Sequence, residues 1–162
     1  MEFNFTGDWD KVFKMLDPTV FKQIARLGLQ KIAAFYEGKI KENIVSGGQL
    51  AGKPFLENAP STINAKGSSK PLIAKGELVA NVKAYEVSNN TFFVGVKRGN
   101  ARTKEGRDYA DIAATHEWGA IVPTKSGIRF TVPPRPFMGP VLEKFKGDAL
   151  KIFRTTMLGW LK

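Results

Sequence analysis

The stretch DPTVFKQIARLGLQKIAAFYEGKIKENIVSGG, residues 17–48, constrains the fold of this chain more than any other. Asp17 can cap a helix, and Pro18 suits the first helical position, where its missing N–H would have no partner anyway. Phe21, Ile24, Gly28, Ile32 and Phe35 recur three or four residues apart, and Tyr36, Ile40 and Ile44 continue the stripe. One long amphipathic helix is therefore expected, ending at Gly47-Gly48, because glycine readily takes the left-handed conformation that stops helices.

From Gln49 to Gly76 the chain is rich in Gly, Pro, Ser and Asn, which predicts an irregular, extended loop with one short helix opening at Ser61. A loop of that length is uncommon without a purpose: it is mobile until something orders it, or it reaches a neighbouring molecule. ELVANVKAYEVSNNTFFVGVKRG then places strand-forming residues on both sides of Asn89-Asn90, so a β-hairpin is expected over about 79–87 and 91–97. After a basic loop at 97–107, Asp108 can cap a short helix in which Tyr109, Ile112, Ala113 and His116 share a face, with Gly119 ending it. GIRFTV predicts a strand near 127–132, and PPRPFMGP must then leave the sheet, because proline cannot donate to a ladder. Val141, Phe145, Leu150, Phe153, Met157 and Leu161 predict a final helix with a weak point at Gly147. The sum is an α+β fold: a long N-terminal and a C-terminal helix packed on a small, mainly antiparallel β-sheet.

At 162 residues, 1–162 fits one domain, and the apolar fraction of 43% suffices for a core. A mean hydropathy of −0.21 and the lack of any apolar run of about 20 residues argue against a membrane span. The N-terminal MEFNFTGDWDKVFK interleaves acids with aromatics and does not have the pattern of a secretory signal. The absence of cysteine excludes a disulfide framework, a thiolate nucleophile and iron–sulfur or zinc-finger chemistry. The charge is more telling. A net +10 favours an anionic partner, and Lys97, Arg98, Arg102, Lys104 and Arg107 form its densest group, either a solvated loop or a phosphate-binding patch.

YADIAATHEWGA carries the only histidine, His116, beside Glu117. A zinc-hydrolase helix would need a second histidine four residues on, where Ala120 stands, so no metal and no cofactor are expected here. No serine lies in a G-x-S-x-G elbow, and SGG and KGSSK lack phosphate-loop spacing. Enzymatic activity is not expected. The structural reading of this stretch gives His116 one buried hydrogen bond to donate, Trp118 core or interface area, and Gly119 a chain reversal. Arg135, between prolines and ahead of Pro136 and Phe137, presents a rigid guanidinium suited to a carboxylate or a backbone carbonyl, and so to an interface.

The order KGSSKPLIAKGELVANV, β-hairpin, YADIAATHEWGA and FTVPPRPFMGP between two helices resembles the tail completion, or virion morphogenesis, proteins of Mu-like tailed bacteriophages, over roughly residues 18–160. VPPRPFMG, with Pro133, Arg135, Pro136, Phe137 and Gly139 in place, is the most specific piece, and HEWG, with His116, Glu117 and Gly119, is next. Lys75 replaces the family's usual threonine, and three extra residues separate Tyr109-Ala110 from His116-Glu117. The resemblance implies a non-enzymatic part of the virion neck, made in the host cytoplasm and acting in tail completion and head-tail joining. It implies a homo-oligomeric ring in the particle, built from subunits that can be monomeric in isolation, beside neck, connector or tail-terminator proteins. The alternative is a small basic protein that binds nucleic acid without enzymatic activity, touching DNA through the 97–107 loop.

Overall fold

Asp17 starts the first helix as its side chain predicts: its carboxylate accepts from the N–H of Thr19 at 2.7 Å and of Val20 at 3.4 Å. The computed structural model describes residues 10, 13, 16–123, 127 and 129–160. Helix α1 (Pro18–Val45) has 28 residues, which at 1.5 Å per residue is about 42 Å of helix. Its buried face carries Ile24, Gly28, Ala33, Ile40, Asn43 and Ile44. At Gly28 a Cβ would lie 2.7 Å from the Phe153 ring, so glycine here lets another helix approach closely.

That helix belongs to the C-terminal part of the chain, which breaks where the sequence does not show it. α5 (Gly139–Lys144) and α6 (Lys146–Gly159) are divided at Phe145, whose φ of −99° and ψ of 13° interrupt the run, whereas Gly147 lies within α6. The interruption resets the helical phase, so Ala149 rather than Leu150 is buried, and Leu150 is exposed. Leu161 lies outside the described residues.

α1 is covered by α6 and by a hairpin. β1 (Val82–Ser88) and β2 (Thr91–Val96) pair antiparallel, from Val82 opposite Val96 to Ser88 opposite Thr91, and Asn90 takes a φ of 68° in the turn. The first strand begins later than expected. Residues 79–81 belong to a short helix, α3 (Glu77–Asn81), closed by the Asn81 amide donating to the Glu77 carbonyl at 2.9 Å. α1 is tied to the hairpin by Arg26, which grips both carboxylate oxygens of Glu86 at 2.8 and 2.7 Å, and by Glu37, which accepts from the Ala84 N–H at 2.7 Å.

A second antiparallel pair, β3 (Ala120–Pro123) with β4 (Arg129–Val132), forms a sheet of its own, so the fold is α+β with two two-stranded sheets instead of one. Gly127 precedes β4, and residue 128 of the expected strand lies outside the described residues. The core gathers Ile40 and Ile44 of α1, Phe55, Leu78, Val82, Val96, Tyr109, Ala113, Phe137 and Val141.

The 49–76 segment is built into this core instead of hanging from it. α2 (Pro60–Lys66) forms within it, close to the expected short helix. Phe55 is buried, and the backbone is held by Ala51 N–H to Asn43 Oδ1 at 2.9 Å and by the Lys144 ammonium to the Leu50 carbonyl at 2.6 Å. Composition alone reads this stretch as loop because its anchors lie on distant elements.

Candidate functional site

The two stretches singled out from sequence, HEWG and PPRPFMG, meet in space. α4 (Tyr109–Trp118) delivers Glu117 into the fold with 5% of its surface exposed. Its carboxylate accepts three consecutive backbone N–H groups: Phe137 at 2.8 Å and Met138 at 3.0 Å on Oε2, and Gly139 at 2.9 Å on Oε1. These N–H groups open α5, where donors have no partner within the helix, so the carboxylate satisfies them and sits at the favourable end of the helix dipole. The His116 carbonyl accepts from the Arg135 N–H at 2.6 Å, which closes the other side.

Gly119 turns the chain with a φ of 75°, and a Cβ there would stand 3.0 Å from the Val132 carbonyl oxygen and 3.1 Å from Cδ of Pro134. Only glycine fits both the dihedral and the gap. Phe137 is wholly buried, and its carbonyl accepts from the amide of Asn43 at 3.2 Å. Asn43 was not recognised from sequence, although it lies between Ile40 and Ile44 on the apolar face of α1, a spacing that marks a polar residue inside.

Arg135 is buried, and its guanidinium reaches backbone carbonyls as expected, but those of its own chain: Nε donates to Leu56 at 2.7 Å and a terminal nitrogen to Glu57 at 2.9 Å. Of the structural and interface readings of this side chain, these bonds serve the structural one: its rigid presentation between Pro134 and Pro136 pins the 49–76 segment. Trp118 reverses its core reading. One helical step of about 100° beyond Glu117, it points outward with 80% of its surface exposed.

His116 also departs from expectation. Its Nδ1 is buried and has no hydrogen-bond partner among the described residues. The guanidinium and ammonium that stand near it, Arg135 and Lys66, already donate to backbone carbonyls. Burial, with Arg135 and Lys66 adding repulsion, lowers the imidazole pKa to about 4 and keeps the ring neutral. Burial likewise pulls the Arg135 and Lys66 pKa values down from their ordinary range. The imidazole lines two cavities, of about 430 and 250 Å³.

The larger cavity joins the site to the basic loop. Loop 97–107 is ordered: Thr103 N–H donates to the Arg107 carbonyl at 2.8 Å, and Gly106 N–H to that of Thr103 at 2.9 Å. The buried Asp108 carboxylate accepts from Ala110 at 2.8 Å and Gly99 at 2.6 Å, and these backbone donors hold its pKa below the usual carboxylate range. The five basic residues divide. Arg98, Arg102 and Arg107 line the cavity, whereas Lys97 lies over the Tyr85 ring at 5.5 Å and, like Lys104, is not in its wall. Arg98 pairs with Asp111, Arg102 reaches only the Gly106 carbonyl at 3.4 Å, and the Arg107 guanidinium has no hydrogen-bonded partner among the described residues.

Among the described residues no group of three or more His, Cys, Asp or Glu is placed to hold a metal ion, and no helix is long and apolar enough to cross a membrane. No family model, no curated protein and no solved structure matches the chain.

Proposed function

We propose that this chain is a structural subunit of a tailed-phage neck, acting without catalysis in tail completion and head-tail joining by assembling into a homo-oligomeric ring. The reading rests on the resemblance to Mu-like tail completion proteins, and one observation supports it above the others. The two stretches most specific to that resemblance, 20 residues apart at Glu117 and Phe137, form a single intramolecular clasp, so geometry is sufficient to account for their residue types. A protein that works by fit needs such a rigid centre and an outer surface free to make contacts. Trp118 at 80% exposure and Ile121 at 67% offer apolar area of the kind that dominates interfaces. The partners under this reading are further copies and the adjacent neck, connector or tail-terminator proteins, within a virion assembled in the host cytoplasm.

Binding to nucleic acid is the second reading, favoured by the incompletely paired guanidiniums of Arg102 and Arg107. It requires no sequence preference, because phosphate contacts position without specifying.

The test uses particles. Because Arg135 is internal, a variant there mixes folding with joining, and the exposed Trp118 is the better probe. Trp118→Ser should give a folded protein by circular dichroism, while lysates accumulate filled heads and unjoined tails. Normal infectious yield from that variant together with absence of the protein from purified virions and tails sinks the neck reading.

A further inference from the structure

We infer that the cleft between loop 97–107, α4 and the β3–β4 hairpin receives the acidic, aromatic N-terminal segment, residues 2–10, of a second copy of this chain. This rests on the assembly reading and names the contact that would join one subunit to the next.

The cleft has two unlike walls. Arg98, Arg102 and Arg107 line one side, while the cross-strand pair Val122 and Phe130, with Val132, lines the other. Its volume of about 430 Å³ lies in the range of pockets that enclose a few side chains of a ligand. An occupant must therefore bring carboxylate or phosphate charge and apolar bulk together. A bare phosphate leaves the apolar wall uncovered, and an all-apolar segment leaves the guanidiniums of Arg102 and Arg107 without a carboxylate.

Residues 2–10, EFNFTGDWD, have that composition: Glu2, Asp8 and Asp10 with Phe3, Phe5 and Trp9, and no lysine or arginine. In a chain with 25 basic and 15 acidic residues, this is the stretch whose charge opposes the whole. Interleaved acids and aromatics can put a carboxylate on the arginine wall while a ring packs on Phe130, which is about half exposed. Nucleic acid fits less well. The cleft also holds Asp108 and Asp111, whose charges weaken the field for a chain of phosphates, and of its four apolar side chains three, Ile112, Val122 and Val132, are aliphatic and offer no stacking surface.

Geometry favours a second copy over the same chain. The first turns of α1 lie beside the Asn89-Asn90 turn, where Thr19 and Arg26 border one depression with those asparagines. Arg98 follows the opposite end of β2, whose six residues span about 20 Å. The start of α1 thus lies at the end of the hairpin away from its own cleft. Arm of one copy into cleft of the next is a head-to-tail contact between two different patches, the arrangement that closes rings.

Because the chain has no cysteine, the doubly substituted Thr6→Cys/Thr115→Cys protein carries two thiols only, one on the arm and one on the half-buried wall of the cleft. Mild oxidation should give disulfide-linked dimers and longer ladders whose yield rises with protein concentration. With the thiols on separate chains, Arg102→Glu/Arg107→Glu in the Thr115→Cys chain should cut heterodimer yield about tenfold, as two lost ion pairs of roughly 0.7 kcal/mol each would. Glu2→Lys/Asp8→Lys in the Thr6→Cys chain should restore it. A concentration-independent internal disulfide would give the cleft to its own arm and overturn the proposal. So would absence of cross-linking while both thiols react with a maleimide, or loss of cross-linking to a mixed-sequence oligonucleotide with no rescue by the reversed pair. Each of these failures leaves the neck reading to be judged separately, by whether the protein is present in virions.

Discussion

The clasp and the cleft share His116 and differ in almost everything else. In the clasp, Glu117 receives three N–H groups, Arg135 gives two hydrogen bonds to carbonyls, and Phe137 has no exposed surface. In the cleft, the Arg102 guanidinium has one long contact and that of Arg107 none among the described residues, and Phe130 is half exposed. Satisfied polar groups hold a shape, and unsatisfied ones on a surface are available for something else. Glu117, Arg135 and Phe137, which stand out in the sequence as motif-like, are thus engaged inside the molecule, while arginines of the basic loop have capacity left for a partner.

The largest effect that separates the two regions is expected at Glu117. Glu117→Ala strips the acceptor from three backbone donors at a buried helix start, and should cost about 4 kcal/mol, given that hydrogen bonds to a charged group are worth about 1.5–3 kcal/mol each and are not additive. Glu117→Gln, which keeps one carbonyl oxygen, should cost about half of that. Urea unfolding reads this as a lower midpoint at an unchanged slope. A loss under about 1 kcal/mol for the alanine variant would mean that the clasp does not hold the fold.

An intermediate effect falls on the shared imidazole and depends on pH. Unfolded, His116 titrates near 6.5, and folded, at about 4. Below 6.5 the unfolded chain takes up a proton that the folded chain refuses, so stability is complete above that pH and is lost as pH falls towards 4. The full interval corresponds to about 3 kcal/mol. Asp108 and Glu86 have pKa values lowered by hydrogen-bond donors, so their share is present above the ordinary carboxylate range and disappears only at lower pH. The window from about pH 5 to 6.5 therefore isolates His116 and should show a decline of about 2 kcal/mol. Urea midpoints measured across that window should become flat in His116→Gln, and an unchanged slope would show that the imidazole is not held neutral.

How much of this was legible in the sequence follows from how local each signal is. Helix α1, with its Asp17 cap and its buried Ile24, Ile40 and Ile44, could be read from periodicity, and so could the hairpin at Asn89-Asn90, because each is encoded by neighbours a few residues apart. The joining of Glu117 to Phe137 and of Arg135 to Leu56 could not, since nothing within three or four residues of either partner specifies the other. The same limit made Gln49–Gly76 look unanchored. Position 118 could be placed on a helix but not oriented, because Trp suits an interior as well as an interface. The basic group was visible as five residues; that only Arg98, Arg102 and Arg107 face one cavity depends on the folded path of the loop.

The smallest effect is expected in the cleft, and it is the most direct challenge to the contrast. Arg102→Ser/Arg107→Ser removes two positive charges from a chain of net +10, one contact at 3.4 Å and no packed core atom. The loop is held by its backbone, through Thr103 to Arg107, Gly106 to Thr103, and the Asp108 carboxylate on Gly99 and Ala110, and none of these bonds uses either guanidinium. Stability should therefore change by no more than about 0.5 kcal/mol, as for surface sites remote from any packed feature. Its sign can be favourable, because relief of self-repulsion offsets the loss, and added salt should shrink the difference by screening. Thermal unfolding at low and high salt measures both. A cost above about 2 kcal/mol would place these arginines among the groups that hold the shape, and the division between a clasp engaged inside the molecule and a cleft open to a partner would fail.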